Sequence, residues 1–570
     1  MILYLNQIKN ISRFYLINKY LFVVIFTFYC FLPGEGLFGQ NSTIREENKT
    51  IKTYPYSDPN PIPSLGINPK VSAFYPYFIF DGFTDKGIDQ KWKVVTLENE
   101  YIEVTVLPEE GGKVMGAIEK STGEEFIYLN HVQKFRSIGI RGPWTSGGIE
   151  HNFGLDLGHA PWTASEVDYV MKENADGSVS CIVGGLDLAS RTQWRVDIRL
   201  PKDKAYFETN SMWYNPTPLH DAYLSWENAA YKATDDLEFY FSGTHHIGHG
   251  GDVHPWPFDE EGRNISVYKD NNFGTSKSYH VFGLTPNWYG AYYHNTNFGT
   301  GHWASYDDAP GKKIWIWSLA RLGAIWEGLL TDTDGQYIEA QSGVKFNQAE
   351  PFSGFNTPFN QLFMRPFYTE TKNEYWFPVK ETGGMVDASP TGTLNLIPSK
   401  DSLRISFCPN ISINDSMVVR SGESTVLAEF IQLEPMQVYQ RTISLPEAGA
   451  KVLKVNIGRH LLSYTSDIEE NRVTRPTVTP AGQDFNSAEH LFRLAEDLNS
   501  MRNYDEALKT YFACLEKEPT HSRALAKVAE LYYRKAQYKE ALGYAEKVLE
   551  NNTYDGNGNF IYGVILKALG

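Results

Sequence analysis

The sequence predicts a mainly β protein: a large two-sheet supersandwich, a small β-sandwich after it, and an all-α repeat segment at the end. Three observations predict this. From about residue 71 to about 389, short runs alternate apolar and polar residues between Gly, Asn and Pro turns, the period of half-buried strands. A second alternating set fills 390–460. From residue 487 the texture turns helical and repeats itself at a spacing of 34.

Each segment has its own justification. Residues 1–39 read as an export signal. Lys9, Arg13 and Lys19 form a basic start, the apolar run Tyr20–Leu32 follows, and small Gly39 precedes Gln40. That run is too short for a spanning helix, which needs about 20 residues. Cys30 has Tyr29 before it instead of the small residue a lipid-anchor signal wants. The expected address is therefore periplasm or cell envelope of a Gram-negative bacterium, with no membrane span in the mature chain. Residues 40–70, with Pro55, Pro59, Pro61, Pro63 and Pro69, read as a tail or edge-wrapping segment. Residues 71–389 carry strand patterns such as Tyr101–Leu107, Gln193–Leu200, Tyr206–Trp213 and Lys313–Trp317, and one domain this long needs two large sheets. Leu403–Phe407, Ser424–Phe430 and Gln437–Ile443 make the small sandwich, and residues 461–486, with Pro476 and Pro480, a linker. In 487–570, Tyr504-Asp-Glu-Ala-Leu508 recurs as Tyr538-Lys-Glu-Ala-Leu542, and Ala495 recurs as Ala529. Small residues at fixed points let antiparallel helices approach closely, so this array resembles tetratricopeptide repeats and implies a protein partner or docking on its own domain.

Composition narrows the function. The net charge of −16 with no basic stripe argues against nucleic acid as a partner. Aromatic residues make up 14%, which suits either sugar stacking or a large β core. The cysteines after the signal, Cys181, Cys408 and Cys514, are scattered and imply no disulfide framework. All 13 Trp lie between Trp92 and Trp376, and 11 of the 14 His between His131 and His302, so candidate chemistry is confined to the first β domain.

Four stretches there carry it. Arg141-Gly-Pro-Trp144 leads through Gly147 and Gly148 to Glu150, His151 and then His159. This gathers a carboxylate and two imidazoles, groups able to move protons near neutral pH. Trp226-Glu227-Asn228 offers an acid, if burial raises the Glu227 carboxyl, and a hydroxyl-binding amide. His245-His-Ile-Gly-His249-Gly-Gly-Asp-Val-His254-Pro-Trp256 has ligand chemistry for a metal, but its glycines and proline favour a sugar-contacting loop. No metal or cofactor is expected. In Tyr337-Ile-Glu339-Ala-Gln341 the alternation puts Tyr337, Glu339 and Gln341 on one face. Trp144, Trp162, Trp256 and Trp303 are candidate sugar platforms.

With the strand–turn–strand Val106-Leu-Pro-Glu-Glu-Gly-Gly-Lys-Val114 in front of these stretches, and the repeats behind, the chain resembles the galactose-mutarotase-like superfamily. Within it, the chain looks like the bacterial domain of unknown function 5107 family. The resemblance implies a mutarotase-like β-supersandwich with a saccharide cleft. It implies a general base at Glu339 and a His of the Gly-rich loop at His151 or His159. Where aldose epimerases end a strand with an acidic His, this chain has Trp226, Glu227 and Asn228. That departure ranks glycoside hydrolysis or related glycosyl chemistry by Glu/His acid–base catalysis first, aldose 1-epimerase-like anomer interconversion second, and a non-catalytic carbohydrate-binding scaffold third. The catalytic candidates are Glu339, Glu150, His151, His159 and Glu227. The substrate-binding candidates are Arg141, Trp144, Asn228, His249, His254, Trp256 and Gln341.

Overall fold

The structure, a computed structural model, describes residues 41–61, 82–137, 143–154, 159–222, 224–346, 363–445, 452–474 and 484–570, together with 78, 80, 348 and 482. The expected export signal and Arg141 lie outside the described residues.

Two sheets face each other across the first domain. Strand Phe207–Tyr214 shows why: its buried and half-buried residues alternate, so Phe207, Thr209, Ser211 and Trp213 point inward. It belongs to an eight-stranded antiparallel sheet that runs from Asp168–Glu173 to Leu237–Tyr240. Opposite lies a 13-stranded sheet among the described residues. At its centre, Gly311–Trp317, Tyr337–Gly343, Leu224–Lys232 and Ile149–Gly154 are neighbours in that order. Between the sheets lies a core that includes Val95, Val104, Trp213, Ala229, Ile338 and Trp376.

Within 40–70, residues Thr43–Tyr54 form a strand of the large sheet instead of a tail. It pairs antiparallel with Ile88–Glu98 along nearly its whole length, and parallel with Val132–Lys134 at its end. Apart from Ile44 its first eight residues are polar, and its buried residues Ile51, Thr53 and Tyr54 come just before the prolines, which is why the segment as a whole looks irregular. The His245–Trp256 stretch is a hairpin, not a loop: His245–Ile247 pairs with Val253–Pro255 at the edge of the large sheet.

The second sandwich spans Asp387–Thr465. Four strands led by Asp387–Ser389 face four others around Leu394, Phe407, Met417, Val419 and Val455. Its last strand, Leu462–Thr465, and a short 3-10 turn at Ile468–Asn471 occupy the start of the expected linker.

Helix α1 (Arg321–Leu330) lies inside the first domain. The C-terminal array is α2 (Ala488–Ser500), α3 (Tyr504–Lys517), α4 (Ser522–Arg534), α5 (Tyr538–Asn551) and α6 (Gly556–Leu569). Ala495, Ala507, Ala524, Ala529, Ala541 and Ala545 are fully buried at the helix contacts, where larger side chains would hold the axes apart. The array docks on the first domain through two arginines. Arg502 Nη2 lies 2.6 Å from Asp221 Oδ1, and its Nη1 donates to Ala189 O at 2.8 Å. Arg534 donates to His220 O and to Glu530. Burial disfavours the Arg502 charge, yet Asp221 together with Tyr504 and Asp187 outweighs it and holds the guanidinium above its ordinary range.

Candidate functional site

Register sorts the candidate residues onto two faces. In the antiparallel central strands, Asn228 pairs with Glu150 on one side and Gln341 on the other, and Gln341 pairs with Lys313. Paired residues point the same way, so Glu150, Asn228, Gln341 and Lys313 form one row across four strands. Glu339 and Trp315 pair one step along that face. The adjacent row is His151, Glu227, Ser342 and Lys312. Its neighbours Ile149, Ala229 and Ala340 belong to the inter-sheet core, so the second row points inward and the first row points outward.

The outward face holds an acid–base cluster. His159 Nδ1 lies 2.6 Å from Glu150 Oε1, and His159 Nε2 lies 3.8 Å from Glu339 Oε1. The other oxygen of Glu150 accepts from Trp144 Nε1 at 2.8 Å. Glu339 accepts from the Tyr337 hydroxyl at 3.1 Å and from the Gln341 amide. Burial pushes the Glu150 carboxyl up, but His159, with Trp144 and the Lys113 ammonium behind it, outweighs burial and holds it below the ordinary range. The surroundings of Glu150 thus favour its ionised form, and both its oxygens are occupied. Aromatic rings wall the cluster: Trp144 stands 5.1 Å from the His159 ring and 5.7 Å from Tyr337. Trp315 leads on to Trp317, which stacks on Trp326 of α1 at 4.4 Å.

The turn chemistry that builds this is local. Gly147 and Gly148 both take positive φ, at 103° and 75°, a region that a side chain strains. Gly148 N donates to Tyr128 O at 2.9 Å, and Ala230 N donates to Gly148 O at 2.8 Å. The loop is thereby stitched to the strand that carries Asn228. Below it, the buried Lys113 Nζ lies 3.0 Å from Glu110 and 2.6 Å from Thr145.

The structure therefore gathers Glu150, His159, Glu339, Gln341, Asn228 and Trp144 on one face. It places His151 and Glu227 elsewhere. They form a pair 2.5 Å apart with fully buried side chains, pointing into the core on the opposite face of the sheet from Glu150 and Glu339. Trp256 is not a platform: its ring is buried among core residues and its Nε1 donates to Phe241 O. Trp162 likewise stacks on Trp194 in the core at 5.3 Å. Trp303 belongs to a strand of the opposite sheet, where it packs on Tyr375. His249 and His254 stand at the far edge of the large sheet, His254 Nδ1 lying 2.8 Å from Glu260. Among the described residues, no group of three or more His, Cys, Asp or Glu side chains is arranged to hold a metal ion. The sequence reading did not single out Trp315 and Lys313 as site residues. Their signal is the alternation of Lys313-Ile-Trp-Ile-Trp317, which puts both on the face of Glu339.

Fold and site together define a two-sheet supersandwich with a largely buried acid–base cluster on the outer face of its large sheet, coupled to helical repeats. The family model described as Domain of unknown function (DUF5107) matches residues 69–379, and the chain belongs to that family. A TPR-domain containing protein from Parabacteroides distasonis ATCC 8503 shares the fold over 93% of this chain and 84% of its own, at TM-score 0.53 and 18% identity. A putative aldose 1-epimerase from Klebsiella pneumoniae subsp. pneumoniae is similar over 51% of this chain and 81% of its own, with TM-score 0.36 and 8% identity. A galactose mutarotase-like protein from Clostridium acetobutylicum is similar over 51% of this chain and 96% of its own, with TM-score 0.37 and 10% identity. Among curated proteins, the DnaJ protein P58IPK homolog B of Oryza sativa subsp. japonica is 39% identical over 75 residues, 13% of this chain. The chain spans only 16% of that relative's length.

Proposed function

We propose that the outward groove binds a saccharide and interconverts its anomers, with Glu339 as base and His159 as acid. The observation that carries this reading is the position of the His159 imidazole, 2.6 Å from Glu150 and 3.8 Å from Glu339. An anomeric carbon bears its hydroxyl and its ring oxygen on one atom, so the groups serving them must stand a few ångström apart. The Glu339–His159 separation meets that need. Glu339 takes the proton of the anomeric hydroxyl while His159 gives one to the ring oxygen. The bond from the anomeric carbon to the ring oxygen breaks, leaving an aldehyde. Rotation and reclosure with the two roles exchanged return the other anomer. Glu150 holds the imidazole by Nδ1 and stabilises its charged form, as a positioning residue. Trp315, partly exposed and paired with Glu339, offers an apolar face to the ring, and Asn228 and Gln341 offer amides to its hydroxyls.

Glycoside hydrolysis, ranked first on sequence, needs one carboxyl kept protonated as the acid. Glu150 does not fit that part, because its environment favours the ionised form. The protein acts outside the cytoplasm on this reading, with residues 1–39 as its export signal, and the repeat array serves protein contacts.

The test is optical rotation of a panel of reducing sugars with the purified chain, alongside reducing-end release from glycans. Anomer equilibration is expected to quicken, and Glu339→Gln to slow it about 10²–10⁴-fold while sugar binding persists. Release of reducing ends lost with Glu339→Gln would establish hydrolysis instead. Binding without turnover in either assay would leave a carbohydrate-binding scaffold.

A further inference from the structure

Trp303, a candidate sugar platform from the sequence, takes no part in the Glu339 cluster, and strand register says where it points. It is the Cα partner of Trp288 on one side and of Tyr375 on the other. One residue back, His302 pairs with Tyr289 and Trp376, and both of those rings lie in the inter-sheet core. Trp288, Trp303 and Tyr375 therefore form a row on the outer face of the eight-stranded sheet. Glu339 lies on the outer face of the other sheet, so the two stand on opposite sides of the supersandwich. The small sandwich covers part of the Trp303 face. Met385 and Ala388 pack into one cluster with Trp288, and Trp303 is half-buried against it.

Beside this contact the two β domains leave a cavity of about 570 Å³, the size of a small-molecule pocket. Trp288 and Trp303 line it from the first domain, and Asp387, Asn456, Ser463 and Tyr464 from the small sandwich. Asn456 and Ser463 are Cα partners and point the same way. The walls are fastened to each other where the chain returns to the first domain: Thr285 N donates to Asn471 O at 3.0 Å, and Val473 N donates to Gly283 O at 3.0 Å. The charges lean acidic. Lys454 is the one cation among the lining residues, and Glu470 binds it at 3.1 Å. Asp467 caps the turn Ile468–Asn471, accepting the Glu469 N–H at 3.1 Å. Asp387 has no cation beside it among the described residues, and burial, opposed by the Ala388 N–H, pushes its carboxyl up to about 7. The Tyr464 phenol is pushed up by burial and then by Asp387. Indole rings with neutral amides and hydroxyls suit a polyhydroxylated ring, and a carboxyl without a cation repels anions and accepts hydroxyl protons.

We propose that this interdomain cavity is a separate saccharide site for a sugar unit without negative charge, with Trp303 as its stacking platform and Asp387 as its hydroxyl acceptor. It does not rest on the reading of Glu339 as a base, because the two sites share no residue. The sugar ring lies on the Trp303 indole, Asp387 accepts from its hydroxyls, and Asn456 and Ser463 meet others from the facing wall. A glycan held there stays on the molecule whether or not a sugar occupies the Glu339 cluster.

Calorimetric titration of the full chain tests this with gluco- and manno-oligosaccharides, a glucosamine oligomer and an oligogalacturonate of equal length. At low salt the oligogalacturonate is expected to bind at least about tenfold more weakly than the others, the gap narrowing with added salt. Trp303→Ala is expected to weaken binding of the neutral sugars about tenfold or more, and Trp303→Phe to weaken it less. Asn456→Ala, on the facing wall and outside the aromatic cluster, is expected to weaken it as well, and decides the matter if Trp303→Ala fails to fold. Glu339-dependent anomer interconversion of monosaccharides is expected to stay unchanged in all three variants. Absence of saccharide binding, binding that neither Trp303→Ala nor Asn456→Ala alters, or tighter binding of the oligogalacturonate overturns the site. Trp303-dependent binding in a chain that interconverts no anomers would keep this site and remove only the reading of Glu339. Turnover at Glu339 without Trp303-dependent binding would do the reverse.

Discussion

Two glutamate–histidine pairs start from adjacent residues of one central strand, Glu150 and His151, and face opposite ways. Glu150 and His159 meet at 2.6 Å with about a tenth of each side chain exposed, on the groove face. His151 and Glu227 meet at 2.5 Å with no exposure, in the core. The inward pair joins a larger buried set. Ser342 donates to Glu374, whose carboxylate also meets Lys372 at 3.0 Å and His302 at 3.1 Å. Lys312 ends the inward row, its ammonium pushed down to about 7 by burial against the pull of Glu374. The same residue types thus form a partly exposed cluster on one side of the sheet and internal scaffolding on the other. What separates them is accessibility: a proton carrier must reach substrate, while a buried charge must be matched by its neighbours.

That contrast predicts unlike responses to unlike substitutions. The largest effect is expected inside. Lys372→Met strips Glu374 of its cation and should cost about 3–5 kcal/mol of stability, read as a lowered urea midpoint. Glu339→Gln on the groove face should move that midpoint by less than about 1 kcal/mol while removing turnover. Equal midpoint losses would erase the distinction between the faces.

The second effect is one of pH. Glu370, on the inward face of the eight-stranded sheet, has its carboxyl raised to about 7, first by burial, with Lys372 opposing. A raised carboxyl stabilises the fold in its protonated form. That contribution is fully present below about 4.5 and is lost as pH rises through about 7. The loss is on the order of 3 kcal/mol. Chemical denaturation of Glu370→Gln across that window should show a flatter profile than the parent chain. Glu150 has the opposite sign: its lowered carboxyl contributes above its ordinary value and loses that contribution as pH falls below it.

The smallest effect is expected at Trp144. Trp144→Phe keeps an aromatic ring but deletes the indole donor to Glu150, so turnover should fall roughly tenfold, the worth of one charged hydrogen bond. The fold should hold. No change in rate would mean that the hold of Glu150 on His159 does not matter to the chemistry.

How much of this could be read beforehand follows from the same geometry. Tyr337, Glu339 and Gln341 were legible as one face because their spacing is two residues, and Glu339 does lie on the groove face. The repeats were legible because the period of 34 is carried by whole phrases. The inward turn of Glu227 and His151 was not legible. Ile149–Gly154 is buried at every position and Trp226–Tyr231 nearly so, and a strand covered on both faces carries no alternation to set its parity. Trp256 failed as a platform for a related reason: a tryptophan can fill a core while its N–H finds a carbonyl, and composition does not show which carbonyl is near.

The two arginines that seat the helical array touch the chain at Ala189, His220 and Asp221. The second and third precede Leu224–Lys232, the strand that bears Asn228. The helical array is therefore fastened, by two guanidinium contacts, to a segment that leads into the strand paired with Glu150. A shift of that segment would reach Asn228 through covalent backbone alone, so the tail and the outer-face cluster share one strand.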